Sequence, residues 1–469
     1  MTGTGLSNGE SKAVHRSGSR LEHLLDQFKP APFVAPLRDQ DQIPSLYRYW
    51  RIRIFYSIFI GYALYYFTRY SLTFAQPGLM TELAINKKEL GLLASLFSIT
   101  YGLSKFVSGV FSDRSNPRYF MAFGLFITGI INILFGFSSS LLLFSLLWAL
   151  NGWFQGFGWP PCARCLMHWY SHSERGAWWS TWNISHNLGA FVIPWVVSYA
   201  ISYWQDWRYA MFVPGVIAIF GSFFLVNRMR DTPQSLGLPP IEEFRAEPID
   251  KNELIEEEKE PSSYELLVSY VLTNQYIWLL ALAYFFVYLA RMGVNQWTAL
   301  YLIEKKGYGI TSANGIVSLF EVGGLLGALS AGWSSDRFFK ARRGPVNALG
   351  ALGMIGATFL FWSVPAGHPL LDTFAVLLLG FTIFVPQMLI GVAAAELSHK
   401  KAAATATGFI GFFAYLGAAS AGFPLGWIIQ ESSWEWNGFL LALLLSSTIT
   451  LLALLPLWNV THRKRGTTT

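Results

Sequence analysis

Apolar stretches long enough to cross a lipid bilayer recur along almost the whole chain. Each contains about 18 to 27 residues, and a helix that rises about 1.5 Å per residue needs about 20 of them to cross a hydrocarbon core of about 30 Å. Only 13% of the residues are charged, against roughly 25% in an ordinary soluble domain. The sequence therefore predicts an all-α membrane protein.

About twelve such stretches can be counted, six on each side of a long polar segment at 228–268. That segment contains the acidic run ELIEEEKE and is predicted to be a charged cytoplasmic linker. It separates an N-terminal six-helix bundle (49–227) from a C-terminal one (269–460), and tails at 1–48 and 461–469 flank the two bundles. The predicted spans are 54–80, 90–111, 119–138, 141–166, 177–202, 209–227, 273–300, 312–334, 345–365, 370–395, 402–430 and 437–458.

Lysine and arginine are unevenly distributed between the predicted loops, and this distribution predicts the topology. Arg51 and Arg53 precede the first span, HRKR follows the last, and the loops on the same side carry most of the basic residues. Because cytoplasmic loops carry an excess of Lys and Arg, both termini are predicted to be cytoplasmic. The net charge of +6 is interpreted as this topology signal, and no nucleic-acid partner is expected.

The two halves repeat each other at a fixed offset. SGVFSDR recurs as SAGWSSDR, and Arg291 follows Arg69 by 222 positions, as Tyr288 follows Tyr66. The two SDR turns each connect the second and third spans of their half. They resemble the cytoplasmic loop motif of the major facilitator superfamily, and this resemblance implies that they pair charges between helices near a gate. The candidate gating residues are Asp113, Arg114, Asp336 and Arg337.

Four ionisable side chains lie inside predicted spans: Arg69, Lys105, His186 and Arg291. Counting from the nearest cytoplasmic marker places the first three on the order of 24, 12 and 16 Å into the helix. A charge at such depth costs at least about 2.5 to 3.5 kcal/mol and normally faces a partner or a watery cavity. The spans supply almost no matching carboxylate apart from Glu321 and the terminal Glu396. The simplest source of the missing negative charge is a bound substrate.

A phosphate suits this set of side chains. The guanidinium fork of an arginine donates paired hydrogen bonds to phosphate oxygens and stays charged at any relevant pH. Lys105 would add a point charge, and His186 could donate a hydrogen bond. Tyrosine hydroxyls on the same helices could contact phosphate or sugar, although packing and interfacial anchoring are ordinary alternatives. These tyrosines are Tyr62, Tyr66, Tyr101, Tyr288 and Tyr415.

Several motifs resemble the organophosphate:phosphate antiporters of the major facilitator superfamily, most closely the bacterial hexose-phosphate transport proteins and their sensor relative. They are YYFTRYSL, GLSKFVSGVFSDRSNPRYF, GWFQGFGWPPCAR, HNLG, RDTPQSLGLPPIEE and PQMLIGVAAAE. The resemblance runs from about Tyr47 to the last span. It implies twelve transmembrane helices in two pseudo-symmetric six-helix bundles, with a site between them. It also implies that Arg69 and Arg291 bind phosphate, with Lys105, His186, Asn183 and the five tyrosines around them.

The function expected from the resemblance is exchange of a sugar phosphate such as glucose 6-phosphate for inorganic phosphate by alternating access. The alternative is a membrane sensor that binds external hexose phosphate and signals to a membrane partner. A proton-coupled transporter of a neutral solute is a weaker alternative, since Glu321 is its only plausible carboxylate, and no nucleophile or metal cluster favours an enzyme. We expect a monomer in the bacterial inner membrane, with a relative from the endoplasmic reticulum as the alternative, and with no cofactor and no metal.

Overall fold

The computed structural model describes residues 26–37, 39–245, 268, 271–340, 342–398 and 402–460. Its helices in the first half of the chain are α1 Ile43–Leu83, α2 Lys87–Asp113, α3 Pro117–Phe137, α4 Leu141–Gln155, α5 Trp159–Trp169, α6 His172–Trp204 and α7 Tyr209–Arg228. A short α8, Ile241–Phe244, lies in the predicted linker. In the second half they are α9 Gln275–Glu304, α10 Ile310–Arg337, α11 Arg343–Ser363, α12 Pro369–Leu397, α13 Ala403–Ser420, α14 Phe423–Glu431 and α15 Glu435–Leu454.

Eleven helical segments of the described chain are long and apolar enough to cross a membrane. The remaining long helix, α1, misses that count because its tyrosines and Arg69 lower its mean hydropathy. It nevertheless packs against α6 and α7 inside the first bundle. The prediction of an all-α protein with twelve spans is confirmed.

Helix α1 begins at Ile43, 11 residues before the predicted first span at 54. The reason is Tyr47, which is 1% exposed although it precedes the apolar stretch. Its ring stacks on Phe244 of α8 at 4.1 Å, and its hydroxyl donates to the carbonyl of Pro239. The extra turns of α1 are therefore stabilised by the linker rather than by lipid.

Two spans that the sequence predicts to be continuous are each broken into two helices. The fourth span breaks at 156–158, before Pro160 and Pro161, and the eleventh breaks at 421–422. Backbone groups freed at such breaks must find partners because a bilayer core offers no water. Serines of α2 supply these partners at the first break. Ser104 donates to the carbonyl of Trp153, and Ser108 donates to the carbonyl of Gly156 at 2.7 Å.

The start of the linker is fixed to the first bundle. The carboxylate of Asp231, 2% exposed, pairs with Arg164 of α5 at 3.1 Å and accepts the backbone N–H of Ala31 at 2.9 Å. Backbone hydrogen bonds then run from Val34 and Leu37 to the segment 234–237. Every one of these contacts lies within the first half of the chain. Residues 1–25, 246–267 and 461–469 of the predicted tails and linker lie outside the described residues.

The two bundles meet mainly where α2 packs on α13 and α14 and where α6 packs on α10. We call the face at which α1 begins and α15 ends the terminal face, and the opposite one the far face. Close to the far face, Lys87 pairs with Glu304 at 3.0 Å and Asn314 donates to Ser198 at 2.9 Å. The described hydrogen bonds and ion pairs that join the bundles lie at the far face or at mid-depth. The bundles are therefore closed at the far face.

Candidate functional site

A cavity of about 760 Å³ lies between the two bundles at mid-depth. It extends toward the terminal face, where its lining includes Trp159, Trp179, Gly332 and Thr407. Its volume is in the range typical of small-molecule sites. All ten side chains predicted to bind substrate line it: Tyr62, Tyr66, Arg69, Tyr101, Lys105, Asn183, His186, Tyr288, Arg291 and Tyr415.

Arg69 of α1 is held between aromatic rings. Its guanidinium carbon lies 4.3 Å from the ring centre of Tyr66 and 4.4 Å from that of Tyr101. Stacking on ring faces favours a cation and leaves the edge of the guanidinium plane available. Its buried Nη2 atom has no hydrogen-bond partner among the described residues. Arg69 is therefore positioned with donor capacity left for an anion.

Gln155, at the end of α4, orients Arg69 from behind. Its amide nitrogen donates to the carbonyl of Tyr65 at 3.1 Å and to the hydroxyl of Thr68 at 2.9 Å. These two bonds turn the amide oxygen toward Arg69, whose Nε donates to it at 3.3 Å. Sequence reasoning missed Gln155 because a neutral amide in an apolar span carries no charge signal. Its position just before the GFGWPP break was the available clue.

Arg291 of α9 is 5% exposed, and its Nε and Nη2 atoms have no hydrogen-bond partner within the described chain. Its guanidinium carbon lies 4.6 Å from the ring centre of Phe384. Tyr66 and His186 are each within electrostatic range of both Arg291 and Arg69. The two arginines, one from each bundle, therefore act on the same region of the cavity.

Glu321 of α10 is a buried carboxylate near Arg291. It is 2% exposed, and its Oε2 atom accepts from the amide of Asn187 on α6 at 2.8 Å. It lies within electrostatic range of Arg291, yet the Oε1 atom of Glu321 and the Nε and Nη2 atoms of Arg291 have no hydrogen-bond partner among the described residues. Glu321 is also absent from the side chains that line the cavity. Glu321 therefore leaves the Nε and Nη2 donors of Arg291 unoccupied.

Lys105 of α2 reaches across to the second bundle. Its Nζ atom lies 3.4 Å from the hydroxyl of Tyr415 and 5.3 Å from the ring centre of Trp159. Tyr415 in turn packs edge-on against Tyr101 at 5.1 Å and against Tyr288 at 6.0 Å. These rings form one layer that connects α2, α9 and α13 beside the arginines.

The described lining of the cavity has a one-sided charge. It contains the cationic side chains Arg69, Lys105 and Arg291, together with His186, and no Asp or Glu. Cations at this depth in a membrane protein normally have a partner. The unused donors of both arginines therefore suit an anion with several acceptor oxygens.

Three of the predicted gating residues, Arg114, Asp336 and Arg337, lie outside the cavity. Asp336 pairs with Arg343 at 2.6 Å, and Arg343 also pairs with Glu396 at 3.0 Å, so that α10, α11 and α12 are joined near the terminal face. Arg114 and Arg337 are exposed, and nothing is described of the side chain of Asp113. The gating role of these four residues stays a prediction.

Comparison with known proteins places this arrangement in a family. Residues 58–422 match the Major Facilitator Superfamily. The chain is 54% identical over 445 residues to the "Probable hexose phosphate transport protein" of Chlamydia pneumoniae, covering 93% of this chain and 97% of that protein. It is 48% identical over 433 residues to the "Membrane sensor protein UhpC" of Salmonella typhimurium, covering 92% and 97%.

A solved structure shares the fold at low sequence identity. It is a bacterial homologue of the human lysosomal transporter Spinster, with a TM-score of 0.68 and 14% identity, covering 87% of this chain and 95% of that one. At this identity the likeness concerns the fold alone.

Proposed function

The chain belongs to the Major Facilitator Superfamily, and from that premise we propose that it exchanges a sugar phosphate for inorganic phosphate by alternating access. It is a multi-pass membrane protein, and this membership agrees with the expectation that it is not an enzyme. Glucose 6-phosphate is the first candidate substrate, since the relative at 54% identity is named for hexose phosphate.

One observation carries the proposal: two arginines from different bundles present unused donors to a cavity whose described lining has no carboxylate. A phosphate dianion that binds both Arg69 and Arg291 neutralises their repulsion and draws α1 and α9 together. In an empty cavity the like charges oppose closure, because two unit charges in a medium of low dielectric repel strongly. Reorientation therefore requires a bound anion, and this gives exchange rather than leak.

The direct test uses purified protein in liposomes loaded with phosphate. Arg69→Lys and Arg291→Lys each keep one positive charge but lose the paired donors, so we expect exchange of labelled phosphate to be abolished. Arg208→Lys is the matched control, because Arg208 pairs with Glu82 at the far face, outside this cavity. Wild-type turnover in either cavity variant would refute the assignment.

The same liposomes identify the organic substrate. Glucose 6-phosphate, glycerol 3-phosphate, phosphoenolpyruvate and free glucose are compared as competitors of phosphate uptake. Strong competition by glucose 6-phosphate and none by free glucose is the expected pattern.

A sensor is the second candidate, favoured by the 48% identity to a protein named as a membrane sensor. In that case the same cavity binds hexose phosphate, and a membrane partner reads the conformational change. Exchange by the purified protein alone supports the carrier, whereas phosphate binding with negligible flux supports the sensor.

We place the protein in a bacterial inner membrane with both termini, and hence the terminal face, in the cytoplasm. The excess of basic residues in the loops of that face supports this orientation. We propose that it works as a monomer, since the cavity is formed within one chain.

A further inference from the structure

The cavity-facing side of α1 and that of α9 carry matching polar stripes. Each stripe follows a spacing of four, three, four and three residues, which keeps its members on one face of a helix. Each member of the first stripe has its counterpart 222 positions later. The pairs are Tyr62 with Tyr284, Tyr66 with Tyr288, Arg69 with Arg291, Thr73 with Asn295, and Gln76 with Thr298.

The stripes continue past the arginines toward the closed far face. Thr73 and Asn295 still line the cavity, whereas Gln76 and Thr298 lie one turn further, 1% and 0% exposed. At about 1.5 Å per residue, these two levels lie about 6 and about 10 Å beyond the arginines along the helices. That distance is comparable to the reach of a sugar whose phosphoryl group is bound at the arginines.

The deepest pair is buried without hydrogen bonds. Neither amide atom of Gln76 nor the hydroxyl of Thr298 has a partner among the described residues. Leaving a buried polar group unsatisfied destabilises the folded protein. Here the cost recurs at two positions related by the internal repeat, one on each bundle. Such groups are expected to find partners in another state of the protein.

The hydrogen bonds at the intermediate level are long and cross between the bundles. Thr73 donates to Gln296 at 3.4 Å, and Asn295 donates to Tyr70 at 3.4 Å. Separation of the bundles at the far face would break both and free their polar atoms. The freed groups are neutral hydroxyls and amides, which both donate and accept. This chemistry matches the hydroxyls of a sugar better than it matches a phosphate.

We propose that Thr73, Gln76, Asn295 and Thr298 form an outer subsite that binds the sugar hydroxyls of the organic phosphate when the far face is open. This proposal rests on the proposed exchange function. The phosphoryl group stays at Arg69 and Arg291 in both states. The sugar lies toward the far face on entry and toward the wall formed by Trp159 and Trp179 once the terminal face opens.

The outer subsite makes a prediction that phosphate binding alone does not. Inorganic phosphate has no sugar, so its self-exchange needs the arginines but not the subsite. Gln76→Leu and Thr298→Val remove the polar atoms at nearly constant volume. The matched controls are Asn347→Leu and Thr450→Val, because each residue is also buried with an unpartnered polar atom but lies on α11 or α15, outside the cavity lining.

The experiment compares phosphate self-exchange with glucose 6-phosphate exchange in right-side-out and everted vesicles. For the Gln76→Leu/Thr298→Val double variant we expect the half-saturating glucose 6-phosphate concentration at the far face to rise about tenfold or more, as for the loss of one or two hydrogen bonds. Phosphate self-exchange and the affinity for glucose 6-phosphate at the terminal face should stay within about twofold. The controls should resemble the wild type.

Two results would overturn the outer subsite while leaving the proposed function intact. One is unchanged affinity for glucose 6-phosphate at the far face, and the other is an equal loss of both exchange modes, which indicates a structural role. If the double variant fails to fold, Thr298→Val alone, which keeps the side-chain shape, is judged by the same criteria. Absence of phosphate exchange in the wild type would instead refute the proposed function, and the subsite with it.

Discussion

The hydroxyl oxygen of Ser95 on α2 accepts the backbone N–H of Phe423, the first residue of α14, at 2.7 Å. The same hydroxyl donates to the carbonyl of Ala419 at 2.5 Å. Beside this contact, Gly91 and Gly422 bring the two backbones together, and a Cβ atom on Gly91 would lie 2.5 Å from the carbonyl oxygen of Gly422. A side chain of the first bundle thus completes the backbone hydrogen bonding of a broken helix in the second.

Ser95→Ala is expected to shift the protein toward the state that is open at the far face. The substitution removes two hydrogen bonds that join the bundles in the structure closed at the far face, each contributing about 0.5 to 1.5 kcal/mol. The ratio of closed to open should fall on the order of fivefold or more. Spin labels at the exposed far-face positions 202 and 433, one in each half, report the distance between the two bundles by double electron–electron resonance.

Ser446→Ala is the control for this shift, because Ser446 is similarly buried and its described hydrogen bond lies within its own helix, to the carbonyl of Ala442. An unchanged distance distribution in Ser95→Ala would show that the two hydrogen bonds of Ser95 do not stabilise the closed far face.

Gln155→Glu is expected to weaken phosphate binding. The new carboxylate would lie where the amide oxygen now accepts from Arg69 at 3.3 Å, so it would compete with phosphate as an internal partner of that arginine. We expect the Kd for phosphate to rise about tenfold or more, since hydrogen bonds to charged groups contribute about 1.5 to 3 kcal/mol. Isothermal titration of purified protein measures it.

Gln155→Leu separates charge from positioning, because it removes the bond to Arg69 and adds no carboxylate. A smaller loss of phosphate affinity in Gln155→Leu than in Gln155→Glu supports the explanation that the new carboxylate competes with phosphate. Equal losses would mean that only the orientation of Arg69 matters.

Lys105→Gln should weaken binding of a dianion more than binding of a monoanion. The change removes one of the cations on the cavity lining but keeps a polar side chain that can still reach Tyr415. Phosphate should then stabilise the variant less against heat, since ligand stabilisation follows the ratio of ligand concentration to Kd. Lys105→Arg keeps the charge and should preserve most of the effect. If phosphate stabilises Lys105→Gln against heat as much as it stabilises the wild type, Lys105 does not belong to the phosphate site.

Asp372→Asn tests stability rather than transport. Asp372 and Lys306 form an ion pair at the far face with side chains 0% and 3% exposed, and Tyr308 donates to the same carboxylate at 2.7 Å. Removing one partner of a buried pair leaves an uncompensated charge and typically costs about 3 to 5 kcal/mol. A clear fall in melting temperature in detergent is expected, with substantial recovery in the Lys306→Met/Asp372→Leu double variant. A melting temperature equal to that of the wild type would contradict this account of the pair.

The sequence was most informative where the physics is local. Spans of the correct length follow from bilayer thickness, so most observed helices agree with the predicted ones to within a few residues. The charges at Arg69 and Arg291 identify the cavity-facing side of α1 and α9, because buried charge is too costly elsewhere. All ten predicted side chains line the cavity, and their binding role stays a proposal.

What the sequence left out depends on contacts distant along the chain. The early start of α1 needs Phe244, almost 200 positions from Tyr47, and no hydropathy window includes that contact. The break at Gly422 is stabilised by Ser95 of the other bundle, so its own residues do not reveal it. Gln155 and the residues of the outer subsite are neutral, so they lack the high cost of membrane insertion that makes a charged side chain conspicuous in an apolar span. The offset of 222 residues, extended beyond the tyrosines and arginines, would have found Gln76 and Thr298.

The attachment of the start of the linker to the first bundle has a practical consequence for how the polypeptide can be divided. From Asp231 to Arg245, the described contacts return to the first half, including those of Tyr47 with Phe244 and of Glu174 with Arg245. A gene split after codon 245 would thus keep these described linker contacts within one fragment. Co-expressed as two fragments, the halves should reassemble through their membrane interface alone and recover function without a covalent connection.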